Sequence, residues 1–272
     1  LAAIFCPMIG GCLLALWRPR DRRTRQDYVI GVACTTAVLS LCSISTALHH
    51  PPMVLIRLND HLSVAFQVDG LSGIFAGMVS LLWPLACLYA VEYMSREGGE
   101  NRFFTFYLIA FGVTLGIAFS ANVLTMYFFY ELLTLVTLPL VMHGMDGKAR
   151  YAGKVYLIYS MSGAALGFIA MVFLLQYGGE MFQFGGTVSV GDMNTDILLV
   201  AYVLGFFGFG VKAAVFPGHK WLLRASVAPT PVTALLHAVA VVKAGVFAVV
   251  RLTWYGFGPD LIRGTWAQDM VM

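Results

Sequence analysis

The feature that most constrains the fold is a series of long apolar runs. A membrane-spanning helix needs about 20 mostly apolar residues to cross a hydrocarbon core of roughly 30 Å. The chain of 272 residues contains eight such runs, and a ninth begins near Leu261. The sequence therefore predicts an all-α polytopic membrane protein. Its predicted spans are residues 1–17, 28–48, 70–93, 103–120, 123–141, 155–177, 197–216 and 232–254.

The composition agrees with this class. Hydrophobic residues make up 59% of the chain and charged residues only 11%, whereas soluble domains carry about 25% charged residues. All five cysteines lie in apolar runs without the spacing of a metal or redox site. The Gly-rich string GFFGFG at 205–210 lacks the pattern of a dinucleotide-binding loop. We therefore expect no cofactor and no metal.

Two loops have a pattern typical of strands. Residues 54–68 alternate roughly between apolar and polar positions around Asn59 and Asp60, and residues 182–190 do so around Gly185 and Gly186. Alternation around such turn residues predicts a β-hairpin. Each loop is therefore predicted to form a short hairpin on the membrane surface.

Basic residues predict the orientation of the spans, because inside loops carry an excess of Lys and Arg. With the N-terminus outside, twelve of the seventeen basic residues fall in inside loops. Three fall outside, namely Arg57, Arg251 and Arg263, and Lys212 and Lys243 fall within spans. The net charge of +3 thus reflects topology, and it gives no reason to expect a nucleic-acid partner.

Three ionisable residues lie inside predicted spans. Glu131 is the ninth residue of the fifth span, Lys243 is near the middle of the eighth, and Lys212 precedes the sequence FPGH, which is predicted to break the seventh. Inserting a charge at a helix centre costs roughly 2.5 to 3.5 kcal/mol. A broken backbone at that depth must be buried in protein or face water. These residues are therefore candidates for a functional site.

Three explanations of these charges compete. A structural salt bridge would join Glu131 to Lys212 or Lys243. Snorkelling to the interface suits Lys154 and Lys220, but the side chain of Glu131 is too short for it. A proton relay, which we favour, would use a carboxylate whose movement changes the proton affinity of a desolvated lysine. The hydroxyls available to such a relay are Tyr127, Tyr130, Thr134, Thr137, Tyr159, Ser160, Ser162, Thr230 and Thr233.

Two histidines extend the candidate site. His219 follows the predicted break and is either a hydrogen-bonded structural residue or a proton shuttle between Lys212 and Lys243. His237 precedes Lys243 by six positions, which places the two on different faces of a regular helix. The nearby sequence offers no further ligands for a metal.

The chain resembles the antiporter-like proton-pumping subunits shared by respiratory complex I, Mrp-type sodium/proton antiporters and membrane-bound hydrogenases. The resemblance runs from about residue 68 to residue 251. The sequences ALLH and VVKAGVF are most similar to the branch that contains the largest complex I antiporter subunit and the largest Mrp subunit. The resemblance is carried by VDGLSGIF (68–75), YFFYELLTLVTLPL (127–140), GFGVKAAVFPGHKWL (208–222) and APTPVTALLHAVAVVKAGVF (228–247).

The resemblance assigns roles to individual residues. Glu131 matches the fifth-helix glutamate that pairs with a seventh-helix lysine, and Lys212 matches that lysine. His219 matches the histidine after the broken helix, while His237 and Lys243 match titratable positions of the eighth helix. The predicted proton relay therefore consists of these five residues.

The resemblance also implies a domain organisation. The family fold contains two inverted five-helix repeats, and the first corresponds to residues 103–254. Residues 1–102 would form the three preceding helices with the surface hairpin, and residues 255–272 the start of a further segment. We expect the chain to be the N-terminal part of a longer subunit or one polypeptide of a split subunit.

The implied function is translocation of protons or sodium ions by a subunit of a redox-driven membrane complex, of the NADH:quinone oxidoreductase or hydrogenase type. Its expected partners are other membrane-arm subunits, lipid and, indirectly, peripheral redox subunits. Its expected location is a bacterial or archaeal cell inner membrane or an organellar inner membrane. The alternatives are a subunit of a stand-alone sodium/proton antiporter, a non-pumping scaffold, and, least favoured, a membrane enzyme with its own active site.

Overall fold

A computed structural model describes residues 1–48, 50–59, 62–188 and 195–272. The described chain is mainly helical, with one pair of strands. Its first elements are α1 (Ala2–Trp17), α2 (Arg22–Ala47), β1 (Met53–Asn59), β2 (Leu62–Phe66), α3 (Gly70–Glu97), α4 (Glu100–Ala118), α5 (Val123–Val141) and α6 (Gly147–Tyr177). They are followed by α7 (Thr195–Gly210), α8 (Lys220–Ala225), α9 (Thr230–Ala234), α10 (Val241–Arg251), α11 (Pro259–Ile262) and α12 (Trp266–Val271).

Six helices are long and apolar enough to cross a bilayer by length and composition: α2 to α6 and the composite helix Thr230–Phe257. The composite helix joins α9 and α10 through a π-helical segment, Leu235–Val239, and ends in a second one, Leu252–Phe257. The apolar helices α1 and α7 are shorter, at 16 residues each. Each predicted span overlaps one of these helices, although the seventh, 197–216, continues past the end of α7. The structure thus confirms a polytopic all-α membrane protein.

Helix α4 lies at the centre of the bundle, and most of its residues are buried. Helix α1 crosses it at close range, because a Cβ added at Gly112 would collide with the backbone carbonyl oxygen of Ile4. Large apolar side chains of other helices, such as Leu16 and Ile74, are exposed. In a membrane protein such positions face lipid, so the polar sites must be sought between the helices.

The first predicted hairpin is confirmed. Strands β1 and β2 pair antiparallel, with Met53 opposite Phe66. Strand β1 is exposed and β2 is largely buried. Ala65 on β2 accepts a hydrogen bond from the backbone N–H of Ala121 at 3.0 Å, and its own N–H donates to Thr125 Oγ1 at 3.0 Å. The hairpin is thereby fixed to the α4–α5 connection.

The second predicted hairpin is wrong over residues 182–188, while residues 189 and 190 lie outside the described chain. The backbone N–H groups of this segment bond elsewhere than to a neighbouring strand. Phe182 donates to Ala121 at 2.8 Å, Gln183 to Tyr255 at 3.3 Å and Thr187 to Gly256 at 2.8 Å. Contacts with the end of the composite helix have replaced a local strand pair.

The connections gather at two ends of the bundle, as the predicted topology requires. The hairpin, the 182–188 segment and the end of the composite helix lie together at the end predicted to face outside. At the opposite end, Arg25 Nη2 pairs with Glu100 Oε2 at 2.7 Å. Arg251, which the charge count assigned to an outside loop, is instead the buried last residue of α10. An ion pair with the carboxylate of Asp69 permits this burial.

Candidate functional site

The central feature of the site is an ion pair between α5 and the segment after α7. Lys212 Nζ lies 3.6 Å from Glu131 Oε1. The lysine side chain is 1% exposed, whereas the glutamate side chain is 22% exposed. The pair therefore joins a fully buried ammonium group to a carboxylate side chain that is partly exposed.

The break in α7 positions Lys212. The helix ends at Gly210, several residues before the FPGH sequence at which the break was predicted. The carbonyl groups freed there are satisfied by two aromatic donors: Tyr130 OH donates to Phe209 O at 2.7 Å, and Trp221 Nε1 donates to Val211 O at 2.7 Å. Unpaired carbonyl groups are costly at this depth, so these donors stabilise an unwound segment that holds Lys212 against α5.

Tyr130 contacts the lysine through both its ring and its backbone carbonyl. Lys212 Nζ lies 3.3 Å from the centroid of the Tyr130 ring and donates a hydrogen bond to the Tyr130 backbone carbonyl. Glu131 Oε1, in contrast, is buried and has no hydrogen-bond partner within the described residues. The ammonium is thus well accommodated, while the carboxylate oxygen facing it is incompletely satisfied.

A row of hydroxyl groups adjoins the ion pair. Thr137 Oγ1 donates to Leu133 O at 2.6 Å, so the 2.8 Å bond between Thr137 and Tyr156 is donated by the tyrosine hydroxyl. Thr134 and Ser160 lie beside Tyr156. Their hydroxyl oxygens are buried without a partner in the part of the chain that the structure describes.

The other predicted hydroxyls are further from this row or used otherwise. The Tyr127, Ser162 and Thr233 hydroxyls each donate to a backbone carbonyl, at 3.3, 2.8 and 3.3 Å respectively. Tyr159 lines an apolar groove beside the unwound segment. Thr230 lines a polar cavity at the start of the composite helix.

The two predicted histidines occupy separate positions. His219 stacks on Phe216 with ring centroids 5.7 Å apart, and its Nδ1 is buried without a partner among the described residues. His237 Nε2 lies 3.2 Å from Ser226 Oγ. Because Ser226 donates its own proton to Leu222 O at 3.0 Å, His237 must donate through Nε2. Its Nδ1 is therefore the basic nitrogen.

Lys243 is half-buried in α10, whose backbone packs directly on the Lys212 segment. A Cβ added at Gly245 would collide with the backbone nitrogen of Ala213. The described residues nevertheless place no carboxylate within ion-pair distance of Lys243. The structure thus brings Glu131 and Lys212 together and leaves Lys243 outside their pair.

The composite helix also departs from the regular helix that the sequence predicts. His237 lies in the π-helical segment, where Ala240 N donates to Leu235 O at 2.9 Å. The backbone then turns sharply at Ala240 before α10 begins. The prediction of a regular helix between His237 and Lys243 is therefore wrong, and counting positions does not give their angular relation. Such π-helical turns occur frequently at functional sites.

A second buried ion pair lies outside the predicted site. Arg251 donates from Nη1 and Nη2 to the two carboxylate oxygens of Asp69, and Nη2 also donates to Ser72 Oγ at 2.7 Å. The guanidinium lies 4.5 Å from the centroid of the Tyr255 ring. Burial acts to raise the pKa of Asp69, but Arg251 and Ser72 outweigh it and hold that pKa below its usual range.

A signal for this pair is present in the sequence. Asp69 lies in the stretch VDGLSGIF, which carries the family resemblance, and Arg251 is the last residue of the region over which that resemblance runs. Neither residue stands out as a candidate, because each ends or flanks an apolar run. As for metal sites, no three His, Cys, Asp or Glu residues come together within the described residues.

Comparison with known proteins identifies the family. A family model described as NADH:quinone oxidoreductase/Mrp antiporter, TM, matches residues 120–269. A second, described as NADH-ubiquinone oxidoreductase (complex I), chain 5 N-terminus, matches residues 56–104. Together they cover most of the hairpin, α3 and both residues of the Glu131–Lys212 pair.

Individual relatives belong to cation/proton antiporters. The A/B subunit of a probable K⁺/H⁺ antiporter from Rhizobium meliloti is 30% identical over 254 residues, which are 89% of this chain and 25% of that protein. The A subunit of a Na⁺/H⁺ antiporter from Alkalihalophilus pseudofirmus is 33% identical over 192 residues, or 68% of this chain and 24% of that protein. The chain thus spans about a quarter of the length of these relatives.

A solved structure shares the fold. It is a chain of the membrane-bound sulfane sulfur reductase, an archaeal respiratory membrane complex. The match has a TM-score of 0.76 at 16% identity, and it covers 92% of this chain and 52% of that one. The chain belongs to the family of NADH:quinone oxidoreductase and Mrp antiporter membrane subunits.

Proposed function

We propose that the chain translocates protons as part of an antiporter-like subunit, with the Glu131–Lys212 pair as the element that binds and releases them. The observation that carries this proposal is the pair itself: a desolvated lysine lies 3.6 Å from a carboxylate oxygen that lacks a hydrogen bond among the described residues. The Glu131 oxygen that faces Lys212 can therefore still accept a hydrogen bond from water or from a group that delivers a proton.

The surroundings of the pair support movement of a proton. Glu131 favours the protonated form of Lys212 when it is close, and its withdrawal favours the neutral amine. The hydroxyls of Thr134 and Ser160, unpartnered within the described residues, provide positions for water or for a transferred proton. Exposure differs between the two groups, so Glu131 is the partner with room to move.

The other predicted residues complete the proposed route. We assign His237 to exchange between the ion pair and one membrane surface, because its Nε2 donates to Ser226 and its Nδ1 is the accepting nitrogen. Lys243 is the next acceptor, since α10 packs on the segment that carries Lys212. His219, which stacks on Phe216 at the end of the unwound segment, is the candidate shuttle between Lys212 and Lys243.

The chain is proposed to have three parts and to assemble with other membrane subunits. Residues 103–254 form one antiporter-like repeat, residues 1–102 carry the preceding helices, and residues 255–272 begin a further segment. The partners are other membrane subunits and lipid. Two kinds of complex are candidates: a redox-driven complex with peripheral redox subunits, and a stand-alone cation/proton antiporter.

A specific observation favours the antiporter. The two relatives at 30% and 33% identity carry the names of K⁺/H⁺ and Na⁺/H⁺ antiporter subunits, whereas the respiratory complex is similar at only 16% identity. Purification of the intact complex separates these candidates. Iron–sulfur or hydrogenase subunits in the purified complex would support the redox-driven assembly, and membrane subunits alone would support the antiporter.

The Lys212→Ala variant tests the proton-binding element. We expect it to abolish proton transport by the complete complex in vesicles while assembly is retained, because no amine is left to bind the proton. The matched control is Lys154→Ala, which removes an exposed lysine of α6. Normal transport by assembled Lys212→Ala complexes would exclude the proposed role.

A further inference from the structure

A polar cavity opens at the end of the bundle predicted to face inside. It has a volume of about 490 Å³ and lies between the ends of α3 and α5, the start of α6 and the connection from α8 to α9. Its lining includes Glu97, Arg102, His143 and Asp146, together with the phenol of Tyr93. None of these residues belongs to the relay that the sequence predicts.

His143, in the turn after α5, is the best-defined group of this cavity. It is only 8% exposed, and its Nε2 lies 3.1 Å from the carbonyl oxygen of Gly98. Because a carbonyl only accepts, Nε2 must carry the proton and Nδ1 must be an acceptor. That Nδ1 is buried and has no partner among the described residues. A buried acceptor without a donor calls for a ligand such as water.

The groups around His143 keep it ready to accept a proton. Burial lowers the pKa of His143, and Arg102 lowers it further, whereas the Gly98 carbonyl and Glu97 act to raise it. The net result is a pKa below the ordinary value, so the imidazole is neutral near pH 7. Asp146 also faces the cavity and accepts a hydrogen bond from Ala149 N at 2.7 Å.

The wall of the cavity leads to the proposed relay. Residues 227–230 line it, and Ala228 in this wall accepts the hydrogen bond from Thr233. The residue before this wall, Ser226, holds Nε2 of His237. The chain segment that closes the cavity is therefore the same segment that positions His237 at the start of the composite helix.

We infer that this cavity is the port through which protons pass between the inside aqueous phase and the relay, with His143 Nδ1 as the accepting atom. When the imidazole ring turns toward the cavity, a hydronium ion there gives its proton to Nδ1 and leaves as water. The resulting imidazolium returns that proton to water on the side of His237. By reversibility the port serves either direction of transport. The inference rests on the proposed function of the ion pair.

The His143→Gln variant separates proton exchange from structure. Glutamine can keep a donor at the position of Nε2 for the Gly98 carbonyl, but it has no titratable nitrogen. In inside-out vesicles holding the complete complex, we expect proton transport in weak buffer to fall by at least about tenfold. Imidazole added to the medium, which then bathes the inside surface, should restore much of the rate.

The control is His50→Gln, the same substitution at an exposed histidine at the opposite end of the bundle. We expect it to leave transport and its response to imidazole unchanged. Normal transport by His143→Gln, with Lys212→Ala still inactive, would overturn the port and leave the proposed function intact. A loss accompanied by poor assembly, without rescue by imidazole, would also overturn it and indicate a structural role. Active Lys212→Ala complexes would refute the proposed function instead.

Discussion

The molecule contains two buried ion pairs that are built differently. Arg251 donates to both carboxylate oxygens of Asp69 and to Ser72, and an aromatic ring covers its guanidinium. Lys212 faces Glu131 at 3.6 Å, and the Glu131 oxygen has no hydrogen bond within the described chain. The first pair is held by several directed bonds, although Arg251 Nε has no partner among the described residues, and the second pair is held mainly by charge.

This difference indicates different tasks. A planar guanidinium that binds a carboxylate with two bonds fixes geometry and always carries its charge. A lysine amine is a compact charge that readily loses its proton when it is desolvated. We therefore interpret the Asp69–Arg251 pair as a structural link between α3 and α10, and the Glu131–Lys212 pair as the switchable one.

The largest stability effect is expected at the structural pair. Arg251→Gln should lower the free energy of unfolding by about 3 kcal/mol, because it leaves the Asp69 carboxylate partly buried without its cation. Unfolding in mixed detergent micelles measures this change. Arg57→Gln, which alters an exposed arginine of β1, is the control, and an equally small effect of both changes would contradict the structural assignment.

Glu131→Gln should give the opposite combination. Transport per assembled complex should fall roughly tenfold, since the group that modulates Lys212 has lost its charge. The free energy of unfolding should change by less than about 1 kcal/mol, because the desolvated amine can shed its proton rather than remain as an unpaired charge. Severe loss of stability with normal turnover would show instead that this pair is a structural bridge.

Tyr130→Phe should have the smallest effect of the three. It keeps the ring next to Lys212 but removes the hydroxyl that donates to Phe209 O, at a cost of about 1 kcal/mol in the free energy of unfolding. Tyr127→Phe on the same helix is the control, because the Tyr127 hydroxyl makes a longer bond of 3.3 Å and is only partly buried. Equal losses in both variants would mean that the broken end of α7 does not depend on Tyr130.

Much of the fold was predictable because its signals are local. The apolar runs predicted the membrane helices, and the alternation around Asn59 and Asp60 predicted the hairpin. The prediction of a hairpin at 182–190 failed because the backbone of residues 182–188 forms hydrogen bonds with residues far along the chain. A local strand-like pattern does not reveal such distant partners. The break in α7 was placed too late because Pro217 is the visible breaker, whereas unwinding begins where Tyr130 and Trp221 supply donors.

The candidate site was predictable in its residue types and only partly in its contacts. Glu131, Lys212 and Lys243 stood out because few ionisable residues occur inside apolar spans. Their spacing in the sequence did not show that Lys212 meets Glu131 while Lys243 remains apart. The same holds for Arg251, whose burial is intelligible only once Asp69, 182 positions away, is placed beside it.

The sequence by itself determined that this chain crosses a membrane several times and buries a few charges there, because a bilayer imposes length and polarity on every span. Only the tertiary structure decided which charges form pairs, which carbonyl groups the aromatic donors satisfy and which titratable residues line a cavity. Those choices depend on how closely helices approach, as at Gly112 and Gly245. Such approaches bring together residues whose separation along the chain does not indicate how far apart they lie in space.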